Sequence, residues 1–427
     1  MSLPTGDSCG TFGECQPGRT KRRLYHRRRI RLQGYLRTDG RKGVRNVIAV
    51  AYLVECAHHV AREIAGPMRD RGVHLVGFPG CYPNAYADRV MTRLGTHPNV
   101  GAVLLVSLGC EGFDRQRLAD AVARSGRPVH CLVIQQSGGT AKTIAAGRNW
   151  VEETRRRLDA APRVEMGLDE LVVGTICGGS DATSGLTANP AVGRAVDRLI
   201  ARGATAIFEE TGELIGCERL MAERAVDDRL GREIVARVQK AARYYEAMGH
   251  GSFAPGNADG GLTTVEEKSL GAYCKSGEGP ISGLITPGDL PPRGGLYLLD
   301  VVPDGEVRFG FPNICDNAEI AEMIACGAHL ILFTTGRGSV VGSAVSPVVK
   351  VCANPATFRA LGDDMDINAG RILEGNGTLD EVGSEIFDLV LGTADGAATK
   401  SEQLGHQEFI LTYKTFDPIG PHCLPGT

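Results

Sequence analysis

Three cysteines of the sequence each follow a short apolar segment and lie beside glycine. Cys81 lies in Gly-Cys, Cys110 in Gly-Cys-Glu, and Cys177 in Cys-Gly-Gly-Ser-Asp. Thiolates bind soft and borderline metals, so three of them could hold one iron or three irons of a 4Fe–4S cluster. A buried cysteine is more often a small packing residue, and that alternative stays open. The carboxylate of Asp181 at the end of the third motif could ligate a metal, act as a base, or cap the next helix.

A second group of residues is suited to binding an anion. Arg337 lies between two glycines in Phe-Thr-Thr-Gly-Arg-Gly-Ser, which combines backbone N–H groups with a guanidinium fork. A carboxylate or phosphate is the natural guest, and a surface arginine in a glycine turn is the alternative. Residues 256–269 add hydroxyl, acid and amine groups on a glycine-rich segment, which is typical of an active-site lid or a reader of substrate hydroxyls.

The elements that must position these motifs alternate between strands and helices. Because the strands are apolar throughout, the pattern predicts an α/β protein with two parallel-sheet domains, residues 34–160 and 165–427, with helices on both faces. Ligands of such sheets bind beyond the carboxyl ends of the strands, where the motifs fall. We expect one long helix over 219–247 and an extended loop region over 250–295. The predicted strands are 47–53, 73–78, 101–108, 129–134, 171–176, 204–210, 296–301, 329–333 and 348–352.

Composition excludes several classes of function. The 427 residues carry a formal net charge of −3 and no long apolar run, so we expect neither nucleic-acid binding nor a membrane span. An odd count of 13 cysteines without a signal peptide indicates reduced thiols and a cytoplasmic protein. Residues 1–33 include a basic run and are predicted to be a disordered extension. Phosphate-binding, dinucleotide-binding and serine-hydrolase motifs are absent from the sequence.

Read together, the motifs resemble the altronate/galactarate dehydratase family. The resemblance runs in order from about residue 34 to 410 and covers most of the chain. It implies an iron-dependent hydro-lyase that removes water from a 2,3-dihydroxy sugar acid and gives a 2-keto-3-deoxy acid. The matching segments are Gly34–Asn46, Leu108–Glu111, Ile134–Thr140, Cys177–Asp181, Thr187–Pro190, Glu209–Thr211, Pro255–Asn257, Gly260–Thr264, Glu267–Ser269, Phe333–Ser339 and Asp364–Asn368.

The resemblance also implies roles for particular residues. It makes Cys81, Cys110 and Cys177 the expected ligands of ferrous iron or of an iron–sulfur cluster. The expected catalytic residues are Asp181, Lys268 and Glu111. For the substrate carboxylate and hydroxyls we expect contacts from Arg337, Ser180, Thr335, Gly338, Asn257 and Thr264.

The same family suggests partners and alternatives. Its single-chain members carry a small domain of about a hundred residues before Gly34, so we expect a separately encoded small subunit, and we also expect a homo-oligomer. The beta subunit of sulfolactate sulfo-lyase is similar to the family, which makes a sulfo-lyase large subunit the alternative activity. A non-catalytic sugar-acid-binding subunit is the alternative of another class.

Overall fold

The computed structural model describes residues 30–209, 211–249, 252–305, 315–412 and 414. The described residues from Arg31 onward form one compact unit. Its strands lie in a four-stranded parallel sheet, a seven-stranded parallel sheet and a three-stranded antiparallel sheet. The predicted α/β class with two parallel sheets is therefore confirmed. None of the described helices is long and apolar enough to cross a membrane.

The strands occur in the following order along the chain. They are β1 (Arg31–Leu36), β2 (Lys42–Gly43), β3 (Val47–Tyr52), β4 (Val73–Gly77), β5 (Val100–Ser107), β6 (Val129–Val133), β7 (Arg163–Gly167), β8 (Val172–Cys177), β9 (Thr205–Glu209), β10 (Ile281–Ile285), β11 (Gly295–Leu299), β12 (Leu330–Thr335), β13 (Val348–Cys352) and β14 (Ile367–Asn368). The first parallel sheet has the order β4-β3-β5-β6, and the second has the order β10-β11-β9-β8-β12-β13-β14.

The helices connect these strands. They are α1 (Glu55–Ala65), α2 (Ala85–Gly95), α3 (Arg115–Arg124), α4 (Thr140–Asp159), α5 (Ala188–Ile200), α6 (Glu218–Glu223), α7 (Asp228–Met248), α8 (Pro255–Asp259), α9 (Val265–Tyr273), α10 (Asp316–Ala325), α11 (Pro355–Ala360), α12 (Leu379–Ala394) and α13 (Lys400–Leu404). Short 3-10 turns lie between them, of which Thr211–Leu214 matters below.

The first sheet is buried on both faces. Successive side chains of a strand point to opposite faces, so Ile48 and Val50 of β3 join α1 and α4 in one apolar cluster. Ala49 and Ala51 join α2 and α3 in another. This second cluster continues into β8, β9, β12 and α10 of the seven-stranded sheet, so the two sheets share one core. A buried polar link adds to it, since Asn99 donates to the carbonyl of His329 at 2.9 Å.

Several elements differ from the sequence-based expectation. The predicted helix over 219–247 is two helices, because Asp227 caps a new helix and accepts from the N–H of Leu230 at 2.8 Å. The region 250–295, expected to be loop, contains α8, α9 and β10. β1 begins at Arg31, within the stretch predicted as a disordered extension, and pairs antiparallel with β7. That predicted extension otherwise lies outside the described residues.

Candidate active site

A cavity of about 440 Å³ lies at the carboxyl edge of the seven-stranded sheet. Its described walls come from the ends of β8 and β12, the 3-10 turn at Glu213, and the first residues of α8, α9 and α10. The side chains that could act on a ligand are Cys177, Ser180, Glu213, Lys268, Asp316 and Arg337. Residues far apart in the sequence thus meet where ligands of parallel sheets bind.

The glycine-rich loops after β8 and β12 hold each other. The carbonyl of Gly179 accepts from the N–H groups of Gly336 at 3.1 Å and Arg337 at 2.8 Å. Gly179 has φ of 64°, a left-handed conformation that glycine adopts without strain. The exposed Arg337 side chain donates from Nη1 to the carbonyl of Gly256 at 2.6 Å, which ties the second loop to α8. The loops therefore fix a guanidinium at the cavity mouth.

Cys177, Glu213 and Lys268 form a hydrogen-bonded chain inside the cavity. The Cys177 thiol donates to Glu213 Oε2 at 3.0 Å, and Lys268 Nζ contacts Glu213 Oε1 at 2.5 Å. Lys268 also donates to the carbonyl of Ser252 at 2.7 Å. An ammonium carries three hydrogens, so one remains for a ligand.

Charge and burial set the protonation of this chain. Burial, followed by the negative charge of Glu213, raises the pKa of Cys177 to about 11, so the thiol stays protonated. Burial is the largest single effect and lowers the pKa of Lys268, but the charge of Glu213, its hydrogen bond to Lys268 and the other neighbouring acidic groups together raise the pKa. Lys268 is therefore a cation and a proton donor at neutral pH, rather than a base.

Asp316 supplies the group that titrates near neutrality. It is the first residue of α10, and burial, followed by the charge of Glu213, raises its pKa to about 6. Gly178 makes room for it, because a Cβ at that position would overlap Asp316 Oδ2. A carboxylate that is ionised at neutral pH and still basic is suited to general base catalysis.

A second cavity of about 250 Å³, called the inner cavity below, adjoins the first and has Tyr245 of α7 among its lining residues. The two cavities share Cys177, Glu213, Ala254, Lys268 and Asp316 as lining residues. The inner cavity adds the side chains of Glu209, Tyr245 and Glu319, together with the smaller polar groups of Ser252 and Cys315. A ligand bound at Arg337 could therefore extend past Asp316 into the inner cavity.

The structure places part of the predicted set at this site. Cys177, Ser180, Lys268, Arg337 and Gly338 line the outer cavity. Asn257 also lines it, but its amide is used within the protein: Nδ2 donates to the carbonyl of Ser180 at 3.2 Å and Oδ1 accepts from the N–H of Ala254 at 2.9 Å. The roles assigned to these residues stay predictions.

Three predicted residues support the loops and do not line the cavity. Asp181 Oδ1 accepts from the N–H of Thr183 at 2.9 Å, and its Oδ2 accepts from Asn354 at 3.0 Å. Thr335 Oγ1 accepts from the N–H of Gly338 at 2.9 Å. Thr264 caps α9. These side chains already have internal partners, which favours a positioning role over substrate contact.

The remaining predicted residues lie at the four-stranded sheet. Cys81 and Cys110 follow β4 and β5 and are exposed. Glu111 organises its own loop, since Oε2 accepts from the N–H of Gly109 at 2.8 Å and Oε1 accepts from Ser107. Across the described part of the chain, no group of three or more His, Cys, Asp or Glu residues is arranged to hold a metal ion. Within the described residues Cys81, Cys110 and Cys177 are thus not gathered into one ligand group, and their role as iron ligands stays a prediction.

Two functional candidates escaped the sequence reasoning. Glu213 lies two residues beyond the segment Glu209–Thr211, which carried the family resemblance but received no role. Asp316 is the first residue of α10 and lies outside the motifs that the sequence analysis singled out. The usable signal at Asp316 was an acidic residue in a first helical turn, a position also common in helices without function.

Comparison with known proteins identifies the family. The model for "D-galactarate/Altronate dehydratase, C-terminal" matches residues 168–416, and that for "D-galactarate dehydratase/Altronate hydrolase, second domain" matches residues 34–159. The chain belongs to the galactarate/altronate dehydratase family. This family consists of hydro-lyases, so the cavity is the candidate active site of a lyase.

Family members of known activity are similar along most of the chain. The beta subunit of (2R)-sulfolactate sulfo-lyase from Chromohalobacter salexigens is 33% identical, over 89% of this chain and 96% of the relative. Altronate dehydratase from Escherichia coli is 29% identical, over 89% of this chain and 77% of the relative. Galactarate dehydratase (L-threo-forming) from the same organism is 31% identical, over 87% and 74%.

Proposed function

We propose that this family member eliminates water from a 2,3-dihydroxy sugar acid and releases a 2-keto-3-deoxy acid. The observation that carries the proposal is the combination of Arg337, Lys268 and Asp316 around one cavity, two cations and a base with a pKa of about 6. Removal of a proton next to a carboxylate needs a base and positive charge near the carboxylate oxygens. The cavity supplies both.

Arg337 holds the C1 carboxylate of the substrate at the mouth of the cavity. A guanidinium fork binds a carboxylate through parallel hydrogen bonds, which fixes its plane and brings C2 into the cavity. The remaining hydrogen of the Lys268 ammonium is available to the oxygens on which negative charge develops during the reaction. Both cations stabilise the doubly charged carboxylate that forms when C2 loses its proton.

Asp316 and Lys268 carry the protons. Asp316 removes the proton from C2, the C3–O bond breaks, and Lys268 donates a proton to the departing hydroxyl, which leaves as water. The resulting enol becomes the 2-keto acid by taking a proton at C3 from solvent and losing one from oxygen. Asp316 returns its proton to Lys268 through solvent, so that the site is restored without net gain or loss.

The test is turnover by the purified full chain of a panel of aldonates and aldarates, followed by detection of 2-keto acid. We expect activity that is lost in Arg337→Ala and Lys268→Met. Glu246→Gln, on the exposed surface of α7, is the control and should keep full activity. A wild-type protein that releases no 2-keto acid from any member of the panel, both alone and after co-expression with its candidate small subunit, would contradict the proposal.

The iron predicted from the resemblance enters no step of this scheme. Of the three predicted ligands, only Cys177 lines the cavity, and its thiol is protonated and bonded to Glu213. Iron and acid-labile sulfide in protein purified without oxygen decide the question. Iron that is present in wild type and absent from Cys177→Ala would restore the predicted centre, and an iron-free active enzyme would remove it.

A separately encoded partner subunit is the second part of the proposal. Its support is the sulfo-lyase relative, which is named a beta subunit and is matched over 96% of its length. The same similarity makes sulfite release from a sulfolactate the second candidate reaction. Activity of the chain alone and after co-expression with a candidate small subunit tests the first point. Comparison of sulfolactate with aldonate turnover tests the second.

A further inference from the structure

The inner cavity contains a carboxyl group that no described residue satisfies. Glu209, the last residue of β9, is 1% exposed, and both of its carboxyl oxygens lack a hydrogen-bond partner among the described residues. Buried polar atoms are almost always paired, and an unpaired one costs free energy that a bound group can recover. Glu209 lines the cavity, so a ligand that reaches into it can supply the missing hydrogen bonds.

The surroundings of Glu209 oppose a further negative charge. Glu319 lines the same cavity, and burial raises its pKa to about 8, with the nearby acidic residues adding to the effect. The pKa of Glu209 is raised too, by burial and then by Glu319. The charge of Lys414 lowers the pKa of both carboxyls, but Lys414 is paired with Glu322 at 3.2 Å, and Lys268, which lines the cavity, is paired with Glu213. The described walls thus provide hydrogen-bond donors and acceptors for hydroxyls, and the lysine among them, Lys268, already neutralises Glu213.

We propose that Glu209 and Glu319 make the inner cavity a reader of the neutral polyhydroxyl tail of the substrate, which selects monoanionic aldonates over diacids. This inference rests on the proposed function, because it assumes that the C1 carboxylate lies at Arg337. An aldonate ends in a hydroxymethyl group, whereas an aldarate or a sulfolactate carries a second anionic group. The hydroxyls of the tail donate to the unsatisfied oxygens of Glu209. Because the tail is neutral, it needs no cation beside it.

The size of the cavity agrees with this assignment. A tail of three hydroxymethylene units needs about 100 Å³, if each unit takes slightly more than the ~30 Å³ of a water molecule. The inner cavity has about 250 Å³, so the tail and several waters fit.

The size of the discrimination follows from Glu319. Its pKa of about 8, against an ordinary 4.5, means that ionisation at this place is disfavoured by more than three powers of ten. A substrate carboxylate in the same cavity would be disfavoured in its ionised form for the same reasons, burial and nearby acidic residues. Solvent that enters with the ligand weakens the effect, so we expect a diacid to bind about a hundredfold more weakly.

The experiment compares two unreactive ligands on the full chain by titration calorimetry. The ligands are a 3,4-dideoxyhexonate and the matching 3,4-dideoxyhexarate, which have no hydroxyl β to either carboxylate and differ only in the terminal group. We expect the hexonate to bind about a hundredfold more tightly. Glu209→Gln and Glu319→Gln should each narrow the ratio about tenfold by weakening hexonate binding, because each replaces a carboxyl oxygen that the tail hydroxyls use, whereas the exposed Glu246→Gln should leave the ratio unchanged. Arg337→Ala should weaken both ligands by the same factor.

The outcomes separate this inference from the proposed reaction. Equal or tighter binding of the hexarate, or no binding of either ligand, overturns the reading of the inner cavity. The inference is also overturned if the ratio of hexonate to hexarate affinity is the same in Glu209→Gln and Glu319→Gln as in wild type. Elimination activity is measured separately on the aldonate and aldarate panel, so a wrong tail assignment leaves the lyase proposal standing. Absence of turnover with the ratio intact overturns the lyase proposal alone.

Discussion

Replacement of Asp316 by asparagine removes the proposed base with little change in volume. Burial and the charge of Glu213 raise the pKa of Asp316 to about 6, so the base is ionised and active above that pH and protonated below it. For the wild type we therefore expect kcat/KM to be half-maximal near pH 6 and to fall about tenfold for each further pH unit. In Asp316→Asn, loss of general base catalysis should lower kcat by about 10²–10⁴-fold, which corresponds to ~3–5 kcal/mol.

The assay is the rate of 2-keto acid formation between pH 4.5 and 9 with the best aldonate. Asp289→Asn is the matched control, because that carboxylate organises a turn through Thr286 and does not line the cavity. It should keep the wild-type pH profile. An acid limb near pH 4, or more than a tenth of wild-type kcat in Asp316→Asn, would refute the assignment of the base.

Three further predictions concern the surroundings of the site and the junction of the sheets. The negative charge of Glu213 adds to burial in raising the pKa of Cys177, so Glu213→Gln should lower that pKa and accelerate alkylation of the thiol at pH 8.5 several-fold. Peptide mass spectrometry measures the alkylation rate, and an unchanged rate would contradict the electrostatic coupling of the two residues. Gly178→Ala should abolish turnover while the protein stays folded by circular dichroism, because the new methyl group would overlap the base carboxylate. Arg45 pairs through two nitrogens with the carboxylate of Glu402 at 2.7 and 2.8 Å, so Arg45→Ala should lower the free energy of unfolding by about 2 kcal/mol. Burial alone would raise the pKa of Glu402, but the hydrogen bond and charge of Arg45 help to hold that pKa below its usual value. The stabilisation by this ion pair is therefore present at neutral pH and is lost as the pH falls below about 4. Denaturant unfolding should show a smaller difference in stability between wild type and Arg45→Ala at pH 3 than at pH 7.

The position of the site could be predicted from the sequence because it follows from strand ends. Cys177 and Arg337 each follow an apolar strand, and β8 and β12 are neighbours in the sheet, with Thr334 opposite Cys177. The period of the apolar pattern was therefore enough to bring these two loops together. Lys268 was also assigned to the site, although the helix that carries it was expected to be loop.

The identity of the acting groups could not be predicted in the same way. Asp181, Thr335 and Thr264 have side chains that could take part in catalysis, yet each accepts a hydrogen bond from a nearby backbone N–H. Short polar side chains are as well suited to this local role as to catalysis, so the sequence does not distinguish the two. Asp316 and Glu213 gain their significance from burial and mutual repulsion, and these depend on α10 packing beside β8. Neither property is visible in a linear sequence.

The three glycine-associated cysteines show that similar positions after strands do not by themselves establish a shared site. They follow strands in the same manner, but Cys81 and Cys110 belong to the four-stranded sheet and Cys177 belongs to the seven-stranded sheet. Equivalent positions in two sheets need not meet in space, and the described residues form no metal-ligating group of three.

The most direct test of the elimination is the reaction in heavy water, followed by NMR of the product. The account predicts that the hydrogen of C2 is lost to solvent and that the 2-keto-3-deoxy acid carries one deuterium at C3. It also predicts that Asp316→Asn exchanges C2 hydrogen no faster than the uncatalysed acid. A product without deuterium at C3 would contradict protonation of the enol from solvent, and rapid exchange of the C2 hydrogen in Asp316→Asn would show that Asp316 is not the base.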